Sequence, residues 1–174
     1  MKFDKSTNQT RVYSPLGDIV LAATDQGLTG LWFTEKQRYL PLELTNPATW
    51  PDNPQHPVLQ QAAQQLREYF AGQRSHFDVP LDLSCGTAFQ QAVWQALLGI
   101  AQGEVISYSE VSRRIGKPQA VRAVGGAVGR NPISIIVPCH RVMGSNGTLT
   151  GYGGGLERKT ALLRLEGALE EKLL

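Results

Sequence analysis

Cysteine is scarce in this chain of 174 residues, and its two examples, Cys85 and Cys139, are too few for a disulfide framework. Histidine is nearly as rare. His56, His76 and His140 lie far apart and, with the cysteines, do not give the spacing of a zinc site, so metal chemistry is not expected. Long apolar runs are missing too: no stretch approaches the roughly 18 consecutive apolar residues of a membrane span. Met1 to Thr10 is polar and has no signal-peptide core, which leads to the expectation of a cytoplasmic protein without a membrane partner. What remains is a hydrophobic content of 41%, enough to bury an ordinary core in one generous domain or two small ones.

The formal net charge of +2 is unevenly spread. Residues 1–87 hold 7 Lys and Arg against 9 Asp and Glu, whereas residues 88–174 hold 10 against 6. A positive second half suits transient visits to phosphates, although a solvated surface gives the same asymmetry.

Arg11 to Ser14, Asp18 to Thr24 and Leu28 to Phe33 read as strands, separated by the turn-forming Pro15-Leu16-Gly17 and Asp25-Gln26-Gly27 into an antiparallel meander. A loop rich in Pro, Asn and Thr follows from Leu40 to Pro57. Leu59, Ala62, Leu66, Tyr69 and Phe70 then recur at helical spacing, with Pro57 at the start and Gly72 at the end. A short strand around Phe77 to Val79 would complete an α/β domain over residues 1–85. Cys85, in the polar run Leu83 to Thr87, reads as a bystander thiol at the junction.

A second domain, residues 86–174, opens with a capping pair, Thr87 and Gln90, and a helix ending near Gly99. Ser107 and Glu110 repeat that pattern for a short helix stopped by Gly116, and Pro118 opens another from Gln119 to Gly129. The fold class expected is α+β. This last helix is unusual, because each glycine inside a helix costs roughly 1 kcal/mol relative to alanine and it holds several. Small residues permit close approach, either to a nucleic-acid groove or to a neighbouring helix, and spacing alone does not choose. Arg122 is the one charge within the small-residue stretch.

The chemistry concentrates further on. Ile133 to Val137 is a short apolar run that Pro138 stops just before Cys139-His140-Arg141-Val142. A Cys beside a His is often core packing. It also suits a nucleophile, since a free thiol with a pKa of about 8.5 is mostly protonated at neutral pH and an imidazole raises the thiolate fraction. Adjacent side chains diverge, so the contact could run through water. Glu166, at the end of an apolar stretch in a helix from Leu156 to Glu166, is a candidate to orient the imidazole, or else a solvated helix end.

Pro138-Cys139-His140-Arg141-Val142 resembles the active-site signature of the O6-alkylguanine-DNA alkyltransferases. Gly103-Glu104-Val105-Ile106-Ser107-Tyr108, Arg122 to Ala127, Asn131-Pro132 and Tyr152-Gly153-Gly154-Gly155 are similar to that family in order and spacing. The resemblance implies an N-terminal ribonuclease-H-like α/β domain and a mainly helical, winged helix-turn-helix-like domain. It implies stoichiometric, irreversible transfer of an alkyl group, with no cofactor, from O6-alkylguanine in double-stranded DNA to Cys139, with O4-alkylthymine a further substrate to be tested and the protein a monomer.

By the same resemblance, His140 is the base acting through water, Glu166 holds its ring, and Asn131 ties the recognition helix to the active-site segment. Tyr108 helps protonate the departing guanine. Val142, Tyr152, Gly153, Gly154 and Ser134 line the alkylguanine pocket, and Arg122, Ala120, Ala123, Gly125, Ser109 and Ser145 meet DNA, with Arg122 filling the place of the flipped base. Two departures stand out: Gly153 where some members have serine, and Ser134 where some have proline. Competing readings are a lesion-binding protein without transfer activity, a transcription regulator built on the helix-turn-helix, and a Cys/His hydrolase.

Overall fold

The computed structural model describes residues 1–46, 49–144 and 146–169. The chain divides into two compact units, Met1–Thr87 and Ala88–Leu174.

In the first unit, β1 (Asn8–Val12), β2 (Ile19–Thr24) and β3 (Gly27–Phe33) form an antiparallel meander in that order. Every residue of β2 and β3 is buried, so both faces of these two strands are covered. Helix α1 (Pro57–Phe70) turns Leu59, Ala62, Leu66 and Tyr69 inward. Its first turn is capped by the His56 ring, whose Nδ1 accepts from the Val58 amide at 3.2 Å. Trp32 and Trp50 stack with ring centres 6.1 Å apart and Phe3 meets both edge-on. Gly30 makes room for this cluster, because a Cβ there would lie 2.0 Å from the Trp32 ring.

Two expectations are corrected. The first strand starts and ends earlier than Arg11 to Ser14, because the Ser14 hydroxyl donates to the Gly17 carbonyl and accepts from the Leu16 amide, turning the chain, while buried Thr10 pairs with Leu21. Phe77 to Val79 does not form a strand. Gln65 of α1 takes up both the amide and the carboxylate of Asp78, and the edge of β3 is met further on, where Leu28 donates to Pro80 O and accepts from Asp82 N, both at 2.8 Å. A short 3-10 helix, Leu42–Thr45, also interrupts the expected loop.

The second unit contains α2 (Ala88–Leu97), β4 (Ile106–Ser107), α3 (Tyr108–Arg114), α4 (Val121–Gly129), a 3-10 turn (Cys139–Arg141), β5 (Val142–Met143) and α5 (Leu156–Leu165). Helices α2 and α4 are pinned by the buried Trp94 indole, which donates to Ala127 O at 2.9 Å. Strands β4 and β5 pair in parallel, Ile106 beside Val142, so the start of α3 is fastened to the end of the cysteine turn.

Ser107 caps α3 as its sequence predicts, accepting from Glu110 N at 3.0 Å. Glu110 does not complete the reciprocal capping box, because its carboxylate is held instead by Arg113 and Arg114 one turn later. Helix α4 begins at Val121 rather than Gln119: the Ala120 amide first closes a turn onto Lys117 O.

Candidate active site and DNA-facing helix

Cys139, His140 and Arg141 are consecutive, and all three are buried on one turn of 3-10 helix. The expected buried run before it, Ile133 to Val137, is buried throughout, yet it is a chain of turns rather than an extended segment. Ile135 adopts φ of 73°, a conformation that a β-branched residue enters only at a cost. Asn131 holds this path: its amide nitrogen donates to Val137 O at 2.8 Å and Ile133 O at 3.4 Å, and its oxygen accepts from Ile133 N at 3.0 Å. Its own amide also bonds back to Val128 O, so the residue after α4 shapes the approach to the thiol.

His140 Nε2 lies 2.8 Å from Glu166 Oε2, with both side chains fully buried. Glu166 follows α5 as its C-cap and is not a solvated helix end. Arg141 grips the same carboxylate from the other side, Nε to Oε1 at 2.8 Å and Nη2 to Oε2 at 3.0 Å, while Nη1 donates to Ile100 O at 2.5 Å. With Nε2–H donating to Glu166, the lone pair of the neutral ring sits on Nδ1, which has no partner among the described residues.

Burial decides the charge states at rest. It pushes the Cys139 thiol up, against the smaller opposing effects of the Asn131 amide and the Lys159 ammonium. It pulls His140 down despite Glu166, so the imidazole is neutral. The arrangement is therefore a protonated thiol beside a neutral base, not a preformed thiolate–imidazolium pair. Burial also holds the Cys85 thiol in its protonated form, its pKa raised to about 11.

Around the thiol, Val142 is fully buried in β5, and Tyr152 is buried with its hydroxyl close to Ser134 but without a formed hydrogen bond. Gly153 is half-buried and Gly154 buried. This loop turns into α5 at Gly155, whose φ is 91° and whose amide donates to Tyr152 O at 2.9 Å. Tyr108 opens α3, its hydroxyl accepts from Thr150 Oγ1 at 3.2 Å, and its ring lies beside Gly125.

Helix α4 buries Val124, Ala127 and Val128 and exposes Arg122, Ala123, Gly126 and Gly129. A Cβ on Gly126 or Gly129 would meet nothing within 4 Å, so close packing against a neighbouring helix does not account for these glycines. Ser109 is exposed and Ala120 and Gly125 are half-buried near the same helix. Ser145 lies outside the described residues. Among the described residues no group of three or more His, Cys, Asp and Glu is placed to hold a metal ion.

Residues 88–168 match the family model described as the DNA-binding domain of 6-O-methylguanine DNA methyltransferase, and residues 10–83 match that of its ribonuclease-like domain. The methylated-DNA–protein-cysteine methyltransferase of Mycobacterium leprae is 50% identical over 153 residues, 88% of each chain. This chain belongs to the 6-O-methylguanine DNA methyltransferase family. The Haemophilus influenzae methyltransferase of the same name is 49% identical, over 88% of this chain and 82% of its own. A crystal structure of Mycobacterium tuberculosis OGT in complex with DNA superimposes with a TM-score of 0.81 at 48% identity, covering 92% of this chain and 93% of that one. The α+β architecture, a small-sheet domain followed by a helical one, is that of the family.

Two side chains at the site were not singled out from sequence for a role. Lys159 is 1% exposed, and its Nζ donates to Val142 O at 2.6 Å and Thr150 O at 3.1 Å. In the sequence Arg141 stands within the motif without a role of its own. Their signal was present: Lys159, Leu162, Leu163 and Glu166 follow the i, i+3, i+4, i+7 spacing of an inward face, and a charge at either end of such a stripe needs a buried partner.

Proposed function

We propose that this protein repairs O6-alkylguanine in double-stranded DNA by moving the alkyl group onto Cys139, once per molecule. The observation that carries this reading is the buried Cys139–His140–Arg141 turn, in which one carboxylate, Glu166, fixes the base and its neighbour together. Residues 1–85 serve as the N-terminal domain and residues 86–174 as the DNA-binding and alkyl-acceptor domain. The protein acts as a cytoplasmic monomer. No helix among the described residues is long and apolar enough to cross a membrane.

The chemistry follows from the resting state. The target carbon is inaccessible inside the duplex, so the nucleotide is extruded at a cost of a few kcal/mol, which an Arg122 entering the vacated place offsets in part. His140 Nδ1 accepts the thiol proton, directly or through water, and the imidazolium that forms is held by Glu166. The sulfur forms a bond to the alkyl carbon as the bond from that carbon to O6 breaks. The electron pair passes to the guanine, which takes a proton from the Tyr108 side. The product is a thioether, which unlike a thioester offers water no carbonyl to attack, so the site is used up.

Incubation with a duplex carrying radiolabelled O6-methylguanine tests this. One label per protein molecule is expected. Binding without transfer would favour a lesion-binding protein, repeated turnover a hydrolase, and indifference to the lesion a transcription regulator.

A further inference from the structure

A buried lysine and a threonine connect the strand that follows the cysteine turn to Tyr108 at the start of α3. Lys159 extends from α5 into the interior and fixes two carbonyls at once, Val142 O in the strand that follows the cysteine turn and Thr150 O in the loop that leads to Tyr152. Thr150, in turn, uses its hydroxyl to hold the Tyr108 phenol, 42 residues away in sequence.

We propose that Lys159 and Thr150 are positioning residues for the transfer, one ammonium and one hydroxyl that keep the acceptor sulfur and the Tyr108 phenol in a fixed relation on opposite sides of the alkylguanine. The inference rests on the alkyl-transfer reading. Its logic is geometric: the sulfur must approach the alkyl carbon on the side away from O6, while the departing guanine is protonated elsewhere, so the two groups must keep their separation through the reaction. A chain of hydrogen bonds through the buried Lys159 and the half-buried Thr150 supplies that rigidity.

The ammonium has a second effect. The titratable groups around it are Cys139 and His140, with Arg141, Glu166 and Tyr152 adjoining those. Burial lowers the Lys159 pKa to about 8, so at neutral pH it keeps its proton, and its positive charge favours the thiolate while disfavouring imidazolium. Lys159 thus opposes part of the burial that keeps the sulfur protonated.

The test compares the full-length protein with Lys159→Met, Thr150→Val and Thr150→Ser. It measures single-turnover transfer from an O6-methylguanine duplex, duplex affinity, and the titration of the Cys139 thiol by its thiolate absorbance. Lys159→Met is expected to raise the thiol titration and slow transfer by about ten- to a hundredfold, the range for losing a group that orients reactive ones. Thr150→Val is expected to slow transfer several-fold with the thiol titration and duplex affinity unchanged, and Thr150→Ser to restore the rate.

Wild-type speed in Thr150→Val, or failure of serine to restore it, overturns the proposal, as does an unmoved thiol titration in a folded Lys159→Met. If Lys159→Met does not fold, the Thr150 pair decides. Failure of the wild type itself to take up the alkyl group would instead overturn the transfer reading.

Discussion

Arg141 and Glu166 form a two-pronged ion pair in the interior of the second unit, with bonds of 2.8 and 3.0 Å and a carboxylate that also receives His140. Removing one member of such a pair leaves the other charge buried without its counterion. Arg141→Met is therefore expected to destabilise the protein by about 3 to 5 kcal/mol, measured by denaturant unfolding of the variant. A loss below about 1 kcal/mol, the value of an exposed pair, would contradict this view of the turn.

Cys139→Ala should abolish alkyl transfer and leave duplex affinity nearly unchanged, because phosphate contacts supply most of the affinity and none of the chemistry. Peptide mass analysis of the spent wild type is expected to place the alkyl group on Cys139. Its appearance on Cys85, whose thiol burial pushes up to about 11, would be a decisive contrary result.

Arg122 projects from the exposed face of α4 between residues with small side chains or none. If its task is to fill the gap left by a flipped nucleotide, Arg122→Ala slows repair of duplex DNA much more than reaction with the free alkylated base. Equal slowing on both substrates would point to a damaged pocket.

The resting charge states predict a pH dependence. Burial raises the Cys139 pKa above the ordinary thiol value and lowers that of His140, so raising the pH removes a proton from sulfur without a neutral-pH plateau. Alkylation of the DNA-free protein by iodoacetamide should climb steadily into the alkaline range. A rate that is already maximal at neutral pH would mean a standing thiolate, contrary to the structure.

Ser134 is buried beside the Tyr152 hydroxyl, and if it lines the alkylguanine pocket it makes that wall more polar than a proline would. Free O6-benzylguanine, whose ring needs an apolar surface, is expected to react slowly. Ser134→Pro should speed it several-fold, about what a 1 kcal/mol gain in aromatic contact gives, and should leave methyl transfer from DNA nearly constant. An equal change on both substrates would refute this account of the pocket.

Most helices were legible from the sequence because their apolar spacing and stop signals agree. Pro57 and Gly72 bracket α1, and Gly116 ends α3. The first strand was displaced because Ser14, next to the turn-forming Pro15, reads as its last residue until the Ser14 side chain is seen closing the turn. The strand expected at 77–79 failed for a related reason: the claim of Gln65 on Asp78 is a long-range side-chain contact that no local pattern reveals. At the site, Cys139, His140 and Glu166 could be named from motif and spacing. What stayed hidden was the sharing of one carboxylate between His140 and Arg141, and the direction of Lys159, because both depend on which residues meet across the folded chain.

Those meetings have a kinetic meaning. The bonds that enclose the sulfur join residues 26, 41 and 42 positions apart, whereas the helices around it form from neighbours. Contacts of long sequence separation carry the largest loop-closure cost and slow a chain's arrival at its native state. During refolding, then, the helices of the second unit can form while Cys139 is still open to solvent. A thiol-reactive probe added at successive times should find this sulfur becoming protected late, after most of the helical signal has returned.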